Sequence, residues 1–174
     1  MTYVVTNNGK PGIQELFAFR PETEAPLRAF VQQLMRGPSS LTPVERETIA
    51  AVVSFENDCV FCSLSHEAAA CALAGDEQVV ERARSQPLSM TPKMQALVEV
   101  AKQVARGGKH VDAGTIARAR DAGADDIAIH DTVLVAAAFC MFNRYVDGLQ
   151  ATTPGPGPAY AMMGKMMADK GYVR

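Results

Sequence analysis

The sequence predicts an all-α fold: a helical bundle of short antiparallel helix pairs, closed by a separate C-terminal helix. Three observations carry this. Alanine is abundant and strand-favouring runs are scarce. Apolar residues recur at three- and four-residue spacings along most of the chain. Helix signals punctuate it, with Thr42-Pro43, Thr91-Pro92 and Asp112 opening segments and Gly37-Pro38, Gly75, Gly107-Gly108 and Gly123 closing them.

The chain has 174 residues, of which 48% are hydrophobic and 6% aromatic, with no Trp. That length suits a single domain, residues 1–174, with a real core. A formal charge of −2 with mixed signs leaves no footprint for nucleic acid, and there is no basic arm or acidic tail. The N-terminus lacks the basic and apolar regions of a signal peptide, and the most apolar run, residues 132–142, is about half a membrane span. The expectation is a cytoplasmic protein with no membrane partner. Structural disulfides are disfavoured in that compartment, so a close cysteine pair there is catalytic or metal-binding rather than a staple.

Residues 1–21 read as an N-terminal arm. The run Asn7-Asn8-Gly9-Lys10-Pro11-Gly12 is a turn signal, and Leu16, Phe17 and Phe19 follow it. The arm is expected to be extended, its aromatics in ordinary surface packing rather than in a substrate pocket; at most residues 3–6 form a strand. A first helix is predicted over 23–35, with Leu27, Phe30, Val31 and Leu34 on one stripe. The second is capped by Thr42, with Pro43 at its first position and Glu45 closing a capping box, and runs to about Phe55. A break at Asn57-Asp58 leads to a third that ends at Gly75. Further helices are predicted over 77–85, from Thr91-Pro92 to Gly107, over 116–121 behind Asp112, and over 125–150. The last of these is apolar almost all round from Val133 to Phe142, so it belongs at the centre of the core or in a subunit interface. His130 just before it reads as a packed or surface residue. Residues 152–158 form a Pro/Gly linker, and the C-terminal helix segment, 159–174, is predicted helical to about Lys170. Its stripe of Met162, Met163, Met166 and Met167 reads as packing, within the chain or on a neighbouring subunit.

The chemistry concentrates in Glu56-Asn-Asp-Cys-Val-Phe-Cys-Ser-Leu-Ser-His66. On a helix, Cys59, Cys62 and His66 fall on one strip. Asp58 is the expected N-cap, which puts both cysteines in the first turn, where unpaired N–H groups and the helix dipole favour thiolates. Such a set serves dithiol redox chemistry, supplies part of a zinc site, or packs as two inert thiols. Redox chemistry is the favoured reading; a zinc-holding structural oligomer and a dithiol sensor for a partner protein are the alternatives. Cys71 turns away from the cluster, and Cys140 reads as a core thiol. Glu47 faces a row of small residues one helix earlier. The tight connection can bring it towards His66, although spacing alone favours a solvated surface glutamate.

Glu47, eleven residues, Cys59-x-x-Cys62, three residues and His66 together resemble the active-site pattern of the alkylhydroperoxidase AhpD / carboxymuconolactone decarboxylase-like superfamily. The resemblance extends to the capped approach at 41–47 and to Phe142-Asn-Arg-Tyr-Val-Asp-Gly-Leu149, similar to peroxidase-related members. It implies an all-helical homo-oligomer and a cofactor-free, metal-free thiol peroxidase. Its substrate is a hydroperoxide, and an external dithiol reductant restores it. The resemblance makes Cys62 the peroxidatic thiol and Cys59 the resolving one, with Glu47 and His66 as a proton relay. Helix-start physics points the other way, since Cys59 lies nearer the N-terminus. In the best-studied AhpD branch the residue before the second cysteine is a histidine; here it is Phe61. The decarboxylase branch lacks the CxxC, which argues against lactone decarboxylation.

Overall fold

The structure, a computed structural model, describes residues 2–6 and 8–173. Met1 of the predicted arm, Asn7 of its turn and Arg174 of the last segment lie outside the described residues. Among the described residues every regular element is helical. They are α1 (Ile13–Phe19), α2 (Pro21–Arg36), α3 (Pro43–Glu56), α4 (Val60–Ala74), α5 (Val79–Ser85), α6 (Pro92–Arg106), α7 (Ala113–Asp121), α8 (Asp126–Gly148) and α9 (Pro158–Lys170). The all-α expectation holds, and residues 3–6 form no strand.

The bundle is built around α3. The Thr42 hydroxyl accepts the Glu45 N–H at 3.2 Å and the Glu45 carboxylate accepts the Thr42 N–H at 2.8 Å, the reciprocal cap its sequence announces. Every residue from Arg46 to Ser54 is buried, because α2, α4, α5, α6 and α8 all pack against this helix. The sequence places the 125–150 helix at the centre of the core or in a subunit interface. Within the chain α8 buries one face, with Thr132, Val135, Phe139, Phe142 and Val146 at three- and four-residue spacings, and exposes Ile127 and Met141. By length and composition α8 is apolar enough to cross a membrane, yet half of its most apolar window is buried inside the fold. Asn143 ties it to α3, donating to Ser54 Oγ at 3.0 Å and accepting from Asn57 at 2.9 Å.

The N-terminal segment is not an extended arm. Its apolar cluster winds into α1, and Glu15 anchors it by accepting the Thr152 N–H at 2.8 Å and the Thr6 hydroxyl. Gly12 holds φ at 52° and lies so close to the Phe61 ring that a Cβ would overlap it, which only glycine allows. Between α3 and α4 the chain reverses within three residues. Asp58 does not cap α4; it supplies the turn's left-handed residue (φ 57°), which Asp tolerates, and the N-cap passes to Cys59.

Residues 151–157 carry no helix, and Pro158 opens α9 along α4 of the same chain. The helices meet where Gly164 sits against Ala68; a Cβ there would overlap Ala68's backbone and side chain. Gly164→Ala is therefore expected to destabilise the protein by about 1–3 kcal/mol, typical of overpacking. This is despite the gain in helix propensity of about 1 kcal/mol from replacing glycine. Urea unfolding measures it; an unchanged midpoint would refute the close contact. The helix ends at Lys170, as the sequence predicts, and Gly171 (φ 67°) turns Tyr172 back into the fold.

Candidate active site

The α3–α4 turn sets two facing helices so that Glu47, nearly three turns before the reversal, lies opposite His66, nearly two turns after it. His66 Nδ1 and Glu47 Oε2 are 2.7 Å apart. Glu47 is fully buried and His66 7% exposed, so the solvated-glutamate expectation is overturned. Its other oxygen, Oε1, accepts from Arg36 Nη2 and the Tyr172 hydroxyl, each at 2.6 Å. Burial alone would raise the Glu47 carboxyl. The His66 hydrogen bond and charge, the Arg36 charge and the Tyr172 hydroxyl outweigh it and hold the group below its ordinary value. The Tyr172 phenol is pushed well above its usual range, first by burial and then by the Glu47 charge, and so stays a donor. The His66 ring is wedged edge-on against Phe139 at 4.3 Å between centroids and stacks on Tyr172 at 6.3 Å. With Nδ1 taken by Glu47, Nε2 is the nitrogen left for substrate.

Cys62 and His66 open together into a cavity of about 90 Å³ whose walls are mainly apolar. Phe17, Val31, Phe61, Phe139, Met163 and Met167 supply much of its lining. Phe17 thus stands in the pocket wall, against the expectation of plain surface packing. The methionine stripe divides, with Met163, Met166 and Met167 in the wall and Met162 72% exposed. Phe61, where a histidine would stand in the best-studied AhpD branch, adds an apolar ring against Tyr160 (6.1 Å between centroids). A cavity of this size holds several waters or a small organic molecule.

Cys59 is fully buried and absent from the cavity wall. Its thiol is pushed far up, first by its hydrogen bond to Cys62, then by burial and the Cys62 charge; the Asp147 carboxylate accepts from it as well. At Cys59, nearer the helix start, the hydrogen bond to Cys62 and burial oppose the dipole's preference for a thiolate. Both sulfurs are free thiols. Among the described residues no three His, Cys, Asp or Glu side chains group as a metal site. Cys71 and Cys140 stand apart, half-buried, the latter accepting from the Asn57 amide at 3.4 Å. His130 remains at the surface, 2.9 Å from Asp131.

Residues 21–103 match the carboxymuconolactone decarboxylase family model. The chain is similar to an uncharacterized peroxidase-related protein from Silicibacter sp. TM1040. Identity is 28%, coverage is 87% of this chain and 78% of that one, and the TM-score is 0.76. Its fold also matches the alkylhydroperoxidase AhpD core of an uncharacterized peroxidase-related protein from Ralstonia eutropha JMP134. There identity is 24%, coverage 89% and 81%, and the TM-score 0.77. No curated protein matches the chain significantly.

The matched segment supplies Arg36, Glu47, Cys59, Cys62 and His66. Asp147, Phe139, Met163 and Tyr172 come from outside it. Three polar partners therefore carry no spacing signal relative to the CxxC helix. Asp147 lies inside the 142–149 segment that the sequence comparison singled out. Arg36 and Tyr172 are separated from Glu47 by 11 and 125 residues, and only folding brings them together.

Proposed function

We propose that this AhpD-like protein is a thiol-dependent hydroperoxide reductase in which Cys62, Cys59, His66 and Glu47 carry the chemistry. The observation that supports it most is the buried Glu47–His66 pair at 2.7 Å, beside a cavity that exposes one sulfur of the CxxC and hides the other. The names of the similar peroxidase-related proteins point the same way.

In this reading the Cys62 proton passes to His66, and the buried carboxylate stabilises the resulting imidazolium. The Cys62 thiolate attacks the terminal peroxide oxygen; the S–O bond forms as the O–O bond breaks. The leaving alkoxide takes the proton from His66 and departs as an alcohol, leaving Cys62 as sulfenic acid. Cys59 attacks that sulfur, the hydroxide leaves as water with the Cys59 proton, and a disulfide closes. An external dithiol reduces it by exchange.

The reduced protein, titrated with one equivalent of cumene hydroperoxide, should lose two thiols and yield a Cys59–Cys62 linkage by peptide mass mapping. With dithiothreitol present it should turn over. Retention of all four free thiols after the titration would sink the proposal.

A further inference from the structure

The cycle above leaves one polar group at the site unused. The Tyr172 hydroxyl donates to Glu47 Oε1 at 2.6 Å and lies 3.4 Å from His66 Nδ1. Stacking on His66 and closing the cavity require only a ring; the hydroxyl is extra. The residue is held in place from several directions. Its N–H donates to Gln32 Oε1 at 2.7 Å, its carbonyl accepts from Arg28 at 3.3 Å, and the Arg36 guanidinium stands 5.2 Å from its ring centroid. Gly171 makes the turn in the left-handed region, packed so tightly on Gln32 that a Cβ would overlap it.

We infer that Tyr172 is a positioning residue for the Cys62 chemistry: with Arg36 it occupies Glu47 Oε1, reserves Oε2 for His66, and divides the carboxylate's charge among three donors. This rests on the relay reading above. The ionic surroundings of the Glu47–His66 pair come from several elements. Arg28 and Arg36 belong to α2, Arg46 to α3, Cys59 and Cys62 to the start of α4, and Tyr172 to the tail, while α8 contributes the Phe139 ring. A carboxylate shared three ways pulls less strongly on the imidazole proton than one shared two ways. Without the phenol, His66 keeps its proton more tightly. Cys62 then becomes a thiolate at lower pH, but the imidazolium gives its proton less readily to the alkoxide.

The test is Tyr172→Phe in the full chain, with the pH profile of Cys62 alkylation by iodoacetamide read by peptide mass. The midpoint is expected to move down by about half to one pH unit. Dithiothreitol-driven turnover of cumene hydroperoxide should fall by about 3- to 10-fold, with the melting temperature nearly unchanged. A profile that superimposes on the parent's, or a midpoint that rises, overturns the inference. Should Tyr172→Phe fail to fold, Gln32→Leu loosens the tail while keeping the hydroxyl; it should move the midpoint the same way by less, and an unmoved profile overturns the inference equally. Alkylation needs no peroxide, so the two claims fail separately. A shifted midpoint in a protein that consumes no hydroperoxide leaves this inference standing and removes the proposed activity. An active parent with an unmoved midpoint does the reverse.

Discussion

Cys62→Ser is expected to reduce hydroperoxide consumption to the uncatalysed background, a loss of about three orders of magnitude or more. The oxygen that replaces sulfur in the cavity wall is not ionised near neutral pH and cannot form a sulfenic acid. Cys59 does not compensate, since it is fully buried and has no face on the cavity. The informative comparison is Cys59→Ser. That variant keeps the attacking sulfur and loses only its capture partner, so it should consume one equivalent of peroxide and stop, with Cys62 trapped by a sulfenic acid reagent such as dimedone. A dithiothreitol-recycling assay and single-turnover mass spectrometry read both variants. If Cys59→Ser abolishes the first turnover and Cys62→Ser permits it, the assignment is reversed.

Glu47→Gln should affect both activity and stability. The amide keeps the volume but removes the charge that stabilises the His66 imidazolium, and activity should fall by about 10²- to 10⁴-fold. It also leaves the Arg36 guanidinium, 13% exposed, without its counter-ion. Breaking a buried pair on one side typically costs about 3–5 kcal/mol, and the loss should appear in urea unfolding at pH 7. Acid should narrow the gap. The folded-state carboxyl lies below its ordinary value of 4.5, so its stabilisation is complete above that value and disappears as pH falls through the folded one. The parent and Glu47→Gln should therefore draw closer in stability as pH falls below 4.5. A difference that persists undiminished at pH 2.5 would show that the charge is not what stabilises the parent.

Much of the architecture could be read from local signals, because those signals are local in their physics. Thr42, Thr91 and Asp112 each accept an N–H three residues on, so the helix starts needed no tertiary information. The Cys59, Cys62 and His66 strip follows from helical periodicity, and Glu47 from the known pattern of the superfamily. What could not be read depended on contacts distant in sequence. Nothing in the composition of α3 says that five helices will surround it, so Glu47 looked like a surface residue. What raises the Cys59 thiol is its contact with Cys62, its burial and the Asp147 carboxylate, and the dipole argument is blind to all three. Phe17 lies in a segment whose Asn, Gly and Pro content advertises a turn, and only its seating on the cavity reveals a role. Tyr172 follows a helix stop signal near the end of the chain, the kind of place where sequence gives little reason to expect a polar partner for residue 47.

The one-sided seating of the sulfur pair has a consequence for how the proposed disulfide can be undone. A reducing thiol arriving from solvent meets the Cys62 sulfur first, so the mixed disulfide forms there and Cys59 departs as the leaving group into a dry interior. Since a leaving thiol that holds its proton strongly departs slowly, regeneration should depend on proton delivery from the Asp147 side.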